Sequence, residues 1–115
     1  MNTRRNNPIS QVEVEQEILR LLNEMEEETE AFEQLAIDAA KKEAKFEAEW
    51  AKAYLSATGS IKEREALADY QIAEMHMEWK IADALLKSKR EKLGSVRSAI
   101  DALRTINANV RAQIQ

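Results

Sequence analysis

Two helix-capping signals constrain the fold of this chain more than any other feature. Ser10-Gln11-Val12-Glu13 and Ser60-Ile61-Lys62-Glu63 both have the Ser-x-x-Glu pattern of a capping box, in which the serine oxygen accepts a backbone N–H of the first helical turn. Each box opens a helix. Between them the only interruption is Ser56-Ala57-Thr58-Gly59, where Gly59 can adopt the left-handed conformation that ends a helix. The sequence therefore predicts a helical hairpin.

These signals also set the expected boundaries. We expect a disordered polar N-terminal arm over residues 1–9, a helix over 11–57, a turn over 58–60 and a helix over 61–115. The fold class would be all-α, well over three quarters helical, with two long helices in an antiparallel coiled-coil hairpin. Two glycines, one proline and 33 % charged residues are typical of a coiled coil. Gly94, inside the second helix, predicts a local weakness or a close helix approach.

Apolar residues recur along both helices at alternating steps of four and three, which is the heptad pattern of a coiled coil. On the first helix the predicted seam is Ile18, Leu22, Met25, Thr29, Phe32, Ala36, Ala39, Glu43, Phe46, Trp50, Ala53 and Ala57. On the second it is Ile61, Glu65, Ala68, Ile72, Met75, Trp79, Ala82, Leu86, Lys89, Leu93, Val96, Ile100, Leu103, Asn107, Val110 and Ile114.

Further apolar residues lie off both seams and predict self-association. They are Leu19, Leu21, Leu35, Leu67, Tyr70, Ile81, Leu85 and Ile106. Two helices bury little apolar area relative to the chain entropy that they must offset, so we expect a homo-oligomer. Three or more protomers could cover the second face, or the polar seam residues Lys89 and Asn107 could select a dimer register.

The net charge of −4 conceals two helices of opposite charge. Residues 13–33 contain nine acidic residues and Arg20 as the only base, whereas residues 80–115 contain eight bases and three acids. If the hairpin folds about Thr58-Gly59, residue i faces roughly residue 117 − i, and acid meets base across the seam. The basic run on the second helix is then explained by register, without any nucleic acid.

Enzymatic chemistry, cofactors and membranes find little support in the sequence. The single histidine, His76, has Ala73 where a Glu-x-x-His metal motif needs a carboxylate, and Met75 and Met77 beside it fit seam packing. There is no phosphate-binding glycine loop and no cysteine. No apolar run approaches a bilayer span or a signal peptide. We therefore predict a non-enzyme without cofactor or metal, in a cytoplasmic compartment.

Bases and aromatic residues alternate around the predicted turn, a combination that suits single-stranded nucleic acid because cations follow phosphates and rings stack on bases. Phe46 and Trp50 lie on the seam and are more consistent with core positions, whereas Tyr54 lies off it. The candidate binding residues are Lys41, Lys42, Lys45, Lys52, Tyr54, Lys62 and Arg64.

The turn and the helix that follows it resemble a known family. The segment from Glu49 to Arg64, EWAKAYLSATGSIKER, together with Ala82-Asp83-Ala84-Leu85-Leu86 and Ile100-Asp101-Ala102-Leu103-Arg104, is similar to the UvsY-like phage recombination mediators. That resemblance implies a small helical homo-oligomer that binds single-stranded DNA and helps to load a RecA-type recombinase onto strands coated by single-strand-binding protein. Lys52 and Tyr54 best match the basic and aromatic positions that contribute to DNA binding in that family.

The sequence thus leads to two functional hypotheses. The first is a phage-type accessory factor that binds single-stranded DNA and assists recombinase loading, in the host cytoplasm if the chain is phage-encoded. The second is a non-enzymatic coiled-coil adaptor or inhibitor that binds a protein target through its acidic helix or its second apolar face.

Overall fold

The structure, a computed structural model, describes residues 10–114 of the chain. These residues form three α-helices and no strand: α1 (Gln11–Ser56), α2 (Ile61–Gln71) and α3 (Ala73–Ile114). The all-α class is confirmed. The first helix ends one residue before its predicted end, and the predicted N-terminal arm, residues 1–9, lies outside the described residues.

Both capping serines hold the helix starts that the sequence predicts. Ser10 Oγ accepts the backbone N–H of Glu13 at 3.1 Å, and Ser60 Oγ accepts that of Glu63 at 3.2 Å. Gly59 has a φ of +109°, a value that only glycine adopts without strain. The two helices are therefore joined by residues 57–60 alone.

A single residue that the sequence does not mark, Ile72, divides the second helix into α2 and α3. Its φ of −106° and ψ of 12° lie outside the helical region. The hydrogen-bond ladder nevertheless continues on both sides, because Ile72 N–H donates to Ala68 O and His76 N–H to Ile72 O, each at 3.0 Å. The apolar seam keeps its phase across this residue.

The chain divides into two compact units, each built from both strands of the hairpin. The terminal unit comprises residues 10–30 and 91–114 of the described chain. Its core is the buried cluster Leu21, Val96 and Ile100, against which Met25, Ala99 and Leu103 pack. Glu15 pairs with Arg111 at 3.5 Å and Glu28 with Lys92 at 3.3 Å, so the helices of this unit run antiparallel.

The turn unit comprises residues 31–90. Its buried residues are all alanines: Ala39, Ala53, Ala57, Ala68 and Ala82. Contacts between its helices are again antiparallel, since Phe32 lies near Arg90 at one end and Trp50 bonds to Asp69 near the turn. Small seam residues bring the helices close together, and larger side chains lie at the borders of the contact.

The predicted seam is confirmed along most of the second helix and is partly wrong along the first. Ala68, Ala82, Leu93, Val96, Ile100 and Asn107 are all buried, although Ile61 and Glu65 at the helix start are exposed. On α1 the predicted positions Ile18, Met25, Phe32, Ala39, Phe46 and Ala53, seven residues apart, are buried or half-buried.

Of the residues predicted between those positions, Ala36 and Trp50 are half-buried and Ala57 is buried, whereas Leu22, Thr29 and Glu43 are exposed and lie one place after the residue that faces the seam. Leu21 is 7 % exposed and Leu22 is 38 % exposed, and likewise Glu28 and Lys42 are half-buried whereas Thr29 and Glu43 are exposed. From Ile18 to Phe32, and again from Ala39 to Phe46, the seam advances by three and then four residues where four and then three were predicted. Leu21 and half-buried Leu35 therefore belong to the seam and provide no second face, which removes part of the motivation for self-association.

The observed side-chain partners are displaced from the predicted register. Residue i was expected to face residue 117 − i, which places Leu67 opposite Trp50 and Ala102 opposite Glu15. The observed partners, Asp69 and Arg111, lie further along the second helix. Helical side chains lean toward the N-terminus of their own helix. In an antiparallel pair this lean shifts each contact toward a later residue on the partner.

Gly94 does not provide the close helix approach that was one of its two predicted roles. A Cβ added at Gly94 would meet no atom within 4 Å, whereas one added at Gly59 would lie 2.5 Å from the Glu63 carboxylate. Gly59 is therefore required by its positive φ and by the nearby Glu63 carboxylate, whereas a side chain at Gly94 would meet no clash.

This contrast predicts opposite effects of the same substitution. Gly59→Ala should lower the free energy of unfolding by about 1–3 kcal/mol, because alanine is strained at this positive φ. Gly94→Ala should raise it by about 1 kcal/mol, because alanine is the better helix former and has room there. Urea unfolding followed by circular dichroism measures both, and a stabilised Gly59→Ala variant would contradict the turn geometry.

Asn107 is the one buried polar residue of the described chain, at 9 % exposure, and its Oδ1 has no hydrogen-bond partner. A polar residue at one seam position commonly fixes register at a cost in stability. Because the unmet acceptor carries a desolvation cost of about 1–3 kcal/mol, Asn107→Leu should raise the midpoint of urea unfolding. An unchanged or lower midpoint would show that the amide is satisfied by solvent.

Candidate nucleic-acid interface

All seven predicted binding residues lie in the turn unit, but they differ in accessibility. Lys41, Lys45, Lys52 and Lys62 are exposed. Lys42, Tyr54 and Arg64 are half-buried. The structure therefore separates four accessible lysines from three side chains that also take part in packing.

Three of the exposed lysines share one side of α1. Lys41, Lys45 and Lys52 follow one another at spacings of four and seven residues, which brings them to the same face of a helix. Lys52 Nζ lies 3.4 Å from Glu49 Oε1, but its side chain remains 74 % exposed. Lys42 is on a different side and pairs with Asp38 at 3.0 Å.

The remaining predicted residues do not join this row of lysines. Residues two apart in a helix point in nearly opposite directions, so Tyr54 diverges from Lys52, and Arg64 diverges from Lys62. Arg64 is turned inward, with its Nε buried and without a hydrogen-bond partner. The seven residues thus form no continuous patch, and the exposed positive charge beside the turn comes from Lys52 and Lys62.

The aromatic side chains are engaged with one another at the border of the helix contact. Trp50 stacks on Tyr54 with ring centroids 5.4 Å apart, and its Nε1 donates a 2.8 Å hydrogen bond to Asp69 Oδ1. Tyr54, predicted to be freer than Trp50, is therefore covered on one ring face. Phe46 and Trp50 are half-buried rather than core residues.

A second aromatic cluster links α1 to α3. Phe46 stacks on His76 at 4.8 Å and on Trp79 at 5.6 Å, and Lys80 Nζ lies 5.0 Å from the Trp79 ring centroid. His76 is exposed, as expected for a flank position, and contributes one ring face to the stack. These rings stabilise the turn unit and leave few ring faces for a ligand.

Acid meets base across the seam of the terminal unit at two pairs, Glu15 with Arg111 and Glu28 with Lys92. Other bases of the second helix pair within their own helix, such as Arg104 with Asp101 at 3.9 Å and Lys87 with Asp83 at 2.9 Å. The charge-register explanation of the basic run therefore holds at Arg111 and Lys92 and fails at Arg104.

The Lys87 ammonium holds the pKa of Asp83 below its ordinary value through a hydrogen bond, with smaller contributions from the charges of Lys87, Lys80 and Arg90. Because the pKa of Asp83 is lowered in the folded state, its ionised form stabilises the fold at pH values above the ordinary aspartate pKa of about 4. This contribution is lost as the pH falls below that value.

Removing the ammonium should therefore move the titration of Asp83. We expect Lys87→Met to raise the pKa of Asp83 toward its ordinary value, as followed by carboxyl ¹³C chemical shifts. Lys92→Met, in the terminal unit, is the matched control and should leave that pKa where it is. Equal titration in the parent and Lys87→Met would mean that the ion pair does not persist in solution.

Two apolar stripes lie on the outside of the turn unit. The sequence predicted four residues of the first stripe as an apolar face off the seam, and it did not predict the second stripe. The outer stripe runs along α2 and α3, and Met77, predicted to pack in the seam, is one of its members at 65 % exposure. It consists of Leu67, Tyr70, Met77, Ile81 and Leu85. The alanine stripe runs along α1 and consists of Ile37, Ala40, Ala44, Ala48, Ala51 and Leu55, all exposed.

The terminal unit carries an open groove of about 540 Å³ beside the buried Asn107. Its other lining residues are Glu15, Ile18, Leu19, Arg104, Ala108 and Arg111. The Glu15–Arg111 ion pair lies at this groove, so its charged groups are already partly matched. No predicted binding residue reaches it.

The chain matches no protein-family model, and no similar protein is found among the curated proteins or the solved structures. The resemblance to the UvsY-like mediators therefore stays a hypothesis. None of the helices in residues 10–114 has an apolar segment of the length needed to cross a bilayer.

Proposed function

We propose that this protein is a phage-type recombination mediator, a non-enzymatic accessory factor that binds single-stranded DNA and assists the loading of a RecA-type recombinase. The observation that carries the proposal is the exposed positive charge on both sides of the turn, from Lys52 on α1 and Lys62 on α2, which Lys41 and Lys45 extend along α1. The same segment carries the resemblance to the UvsY-like family.

Each lysine supplies one phosphate contact, and such contacts are individually weak because they exchange with counterions in solution. A homo-oligomer multiplies them, since one strand then meets the turns of several copies. Binding of this kind is independent of sequence, because phosphates carry no base identity. It suits a factor that shares DNA with a recombinase and single-strand-binding protein.

A protein-binding adaptor is the second candidate function. It is supported by the outer stripe, whose apolar side chains are 41–82 % exposed and lie along α2 and α3. An adaptor would use this stripe for its target and would have no need of the lysines beside the turn.

Salt-dependent binding of labelled oligo-dT, measured by fluorescence anisotropy, tests the first function. The parent should bind at low salt and lose affinity steeply as salt rises. Lys52→Ala/Lys62→Ala should weaken binding and reduce the slope of log affinity against log salt by about 1.4, the value for two contacts to a single strand. Sedimentation of the same variant should be unchanged.

Arg97→Ala/Arg104→Ala is the matched control, because it removes two exposed bases from the terminal unit. Its salt slope should equal that of the parent. Equal losses in the two double variants would show that DNA follows the second helix rather than the turn. Absence of any binding by the parent at low salt would reject the mediator function in favour of the adaptor.

A further inference from the structure

The outer stripe lies away from the seam and has no partner within residues 10–114. Its residues follow one another at steps of three or four, which keeps them on one face of a helix, with Glu74 as the polar member. Their exposed fractions are 41 % for Leu67, 82 % for Tyr70, 65 % for Met77, 55 % for Ile81 and 53 % for Leu85. Single exposed apolar residues are common, but a continuous line of large ones marks a contact surface.

The alanine stripe has the dimensions that this surface needs. It runs from residue 37 to residue 55 and the outer stripe from residue 67 to residue 85, so each spans about 27 Å at the helical rise. One stripe presents large side chains and the other mainly methyl groups. Large residues on one helix fit between small residues on another, because the small side chains let the helices approach closely.

We propose that the outer stripe of one copy packs on the alanine stripe of a second copy, with the two helices antiparallel. In full overlap, Leu85 faces Ile37 and Leu67 faces Leu55 at the two ends. Between them, Met77 enters between Ala44 and Ala48. Ile81 likewise enters between Ala40 and Ala44. This proposal specifies the self-association on which the proposed function depends, and its sedimentation tests are carried out without DNA.

The charges that border the two stripes determine the antiparallel direction. At about 100° per residue, Glu78 borders the outer stripe on one side and Lys80 on the other. Lys41 and Lys45 border the alanine stripe on the side that corresponds to Glu78, and Glu43 and Glu47 border it on the opposite side. In an antiparallel pair, corresponding borders face each other, so Glu78 meets Lys45 and Lys80 meets Glu43.

A parallel pair would instead bring borders of like charge together, which is unfavourable. The acidic and basic residues of the α1 border, and Glu78, make no ion pair with any described residue of their own copy. They are therefore available for a second copy. Shape pairs the two stripes, and charge selects the antiparallel direction.

The two stripes lie on different helices, so the contact is heterologous: each copy offers both surfaces and uses one toward each neighbour. This property separates the proposal from a contact between two identical surfaces. It also predicts that two variants, each defective in one stripe, will associate with each other.

Two single substitutions test this prediction. Ile81→Glu places a charge in the outer stripe, and Ala44→Glu places one in the alanine stripe. Because an unpaired charge is costly to bury, each variant alone should sediment as a monomer, with a dissociation constant raised at least about tenfold. An equimolar mixture should form a heterodimer and nothing larger, through the one pair of intact stripes.

Both positions are exposed, so helix content by circular dichroism should match the parent and report on folding. An Ala44→Glu variant that still self-associates would overturn the proposal in favour of a like-to-like contact. A monomeric mixture would overturn it as well, as would a parent that remains monomeric at high micromolar concentration. If the parent is monomeric, the outer stripe is instead the contact surface for a different protein.

A charge exchange tests the direction of the helices. Glu78→Lys should weaken self-association by bringing a third base beside Lys41 and Lys45, and adding Lys45→Glu should restore it. Arg97→Glu, at an exposed base of the terminal unit, is the control second substitution and should restore nothing. If Lys45→Glu fails to rescue Glu78→Lys, the antiparallel register is wrong. Oligo-dT binding is measured on the parent, so a parent that self-associates but does not bind DNA would reject only the proposed function.

Discussion

The rest of the structure depends on how narrow the contact between its two helices is, because that width limits which side chains can be buried. Two helices that meet along one seam enclose small side chains more completely than large ones. Within the described residues no large side chain is fully buried, and the turn unit is closed by alanines. Phe46, Trp50 and Trp79 lie at the borders, where they stack on neighbours and remain half-exposed. Apolar surface that the seam cannot enclose is left on the outside.

Charge supplies the specificity that such a small core lacks. In the terminal unit, acidic α1 and basic α3 meet at Glu15–Arg111 and Glu28–Lys92, and the second of these carboxylates is only 16 % exposed. Exposed ion pairs contribute little energy, but wrong registers would bring like charges together. The buried Asn107 acts in the same direction, because any shift would place its amide against a different seam residue.

The sequence predicted those parts of the fold in which only one nearby residue could fill the structural role. Serine caps and a glycine at positive φ are chemically distinctive, and the apolar spacing of the second helix predicted the buried positions Ala68, Ala82, Leu93, Val96 and Ile100. On α1 the choice lay between equivalent neighbours: Leu21 against Leu22, and Leu35 against Ala36. Periods of 3.5 and 3.6 fit both, so only packing against the partner helix could decide. Ile72 gave no signal, because isoleucine is ordinary within a helix.

The candidate site was less predictable for a geometric reason. Lys52 and Tyr54, or Lys62 and Arg64, are close in the sequence, yet a helix directs residues two apart to nearly opposite sides. Proximity along the chain therefore suggested a patch that the helices separate. Four members of the outer stripe, Leu67, Tyr70, Ile81 and Leu85, were predicted as an apolar face off the seam, whereas Met77 and the alanine stripe were not. The alanines were passed over because alanine is frequent on any helix surface.

The alanine seam of the turn unit also limits how this protein could be modified. Ala68 is completely enclosed and Ala82 nearly so, so a larger side chain at either position would have to force the helices apart. Enlarging the core, the usual route to a more heat-resistant variant, is therefore closed in this half of the molecule. Stabilising substitutions would have to be made at the surface instead, at the helix ends, at solvent-facing positions and in the exposed stripes.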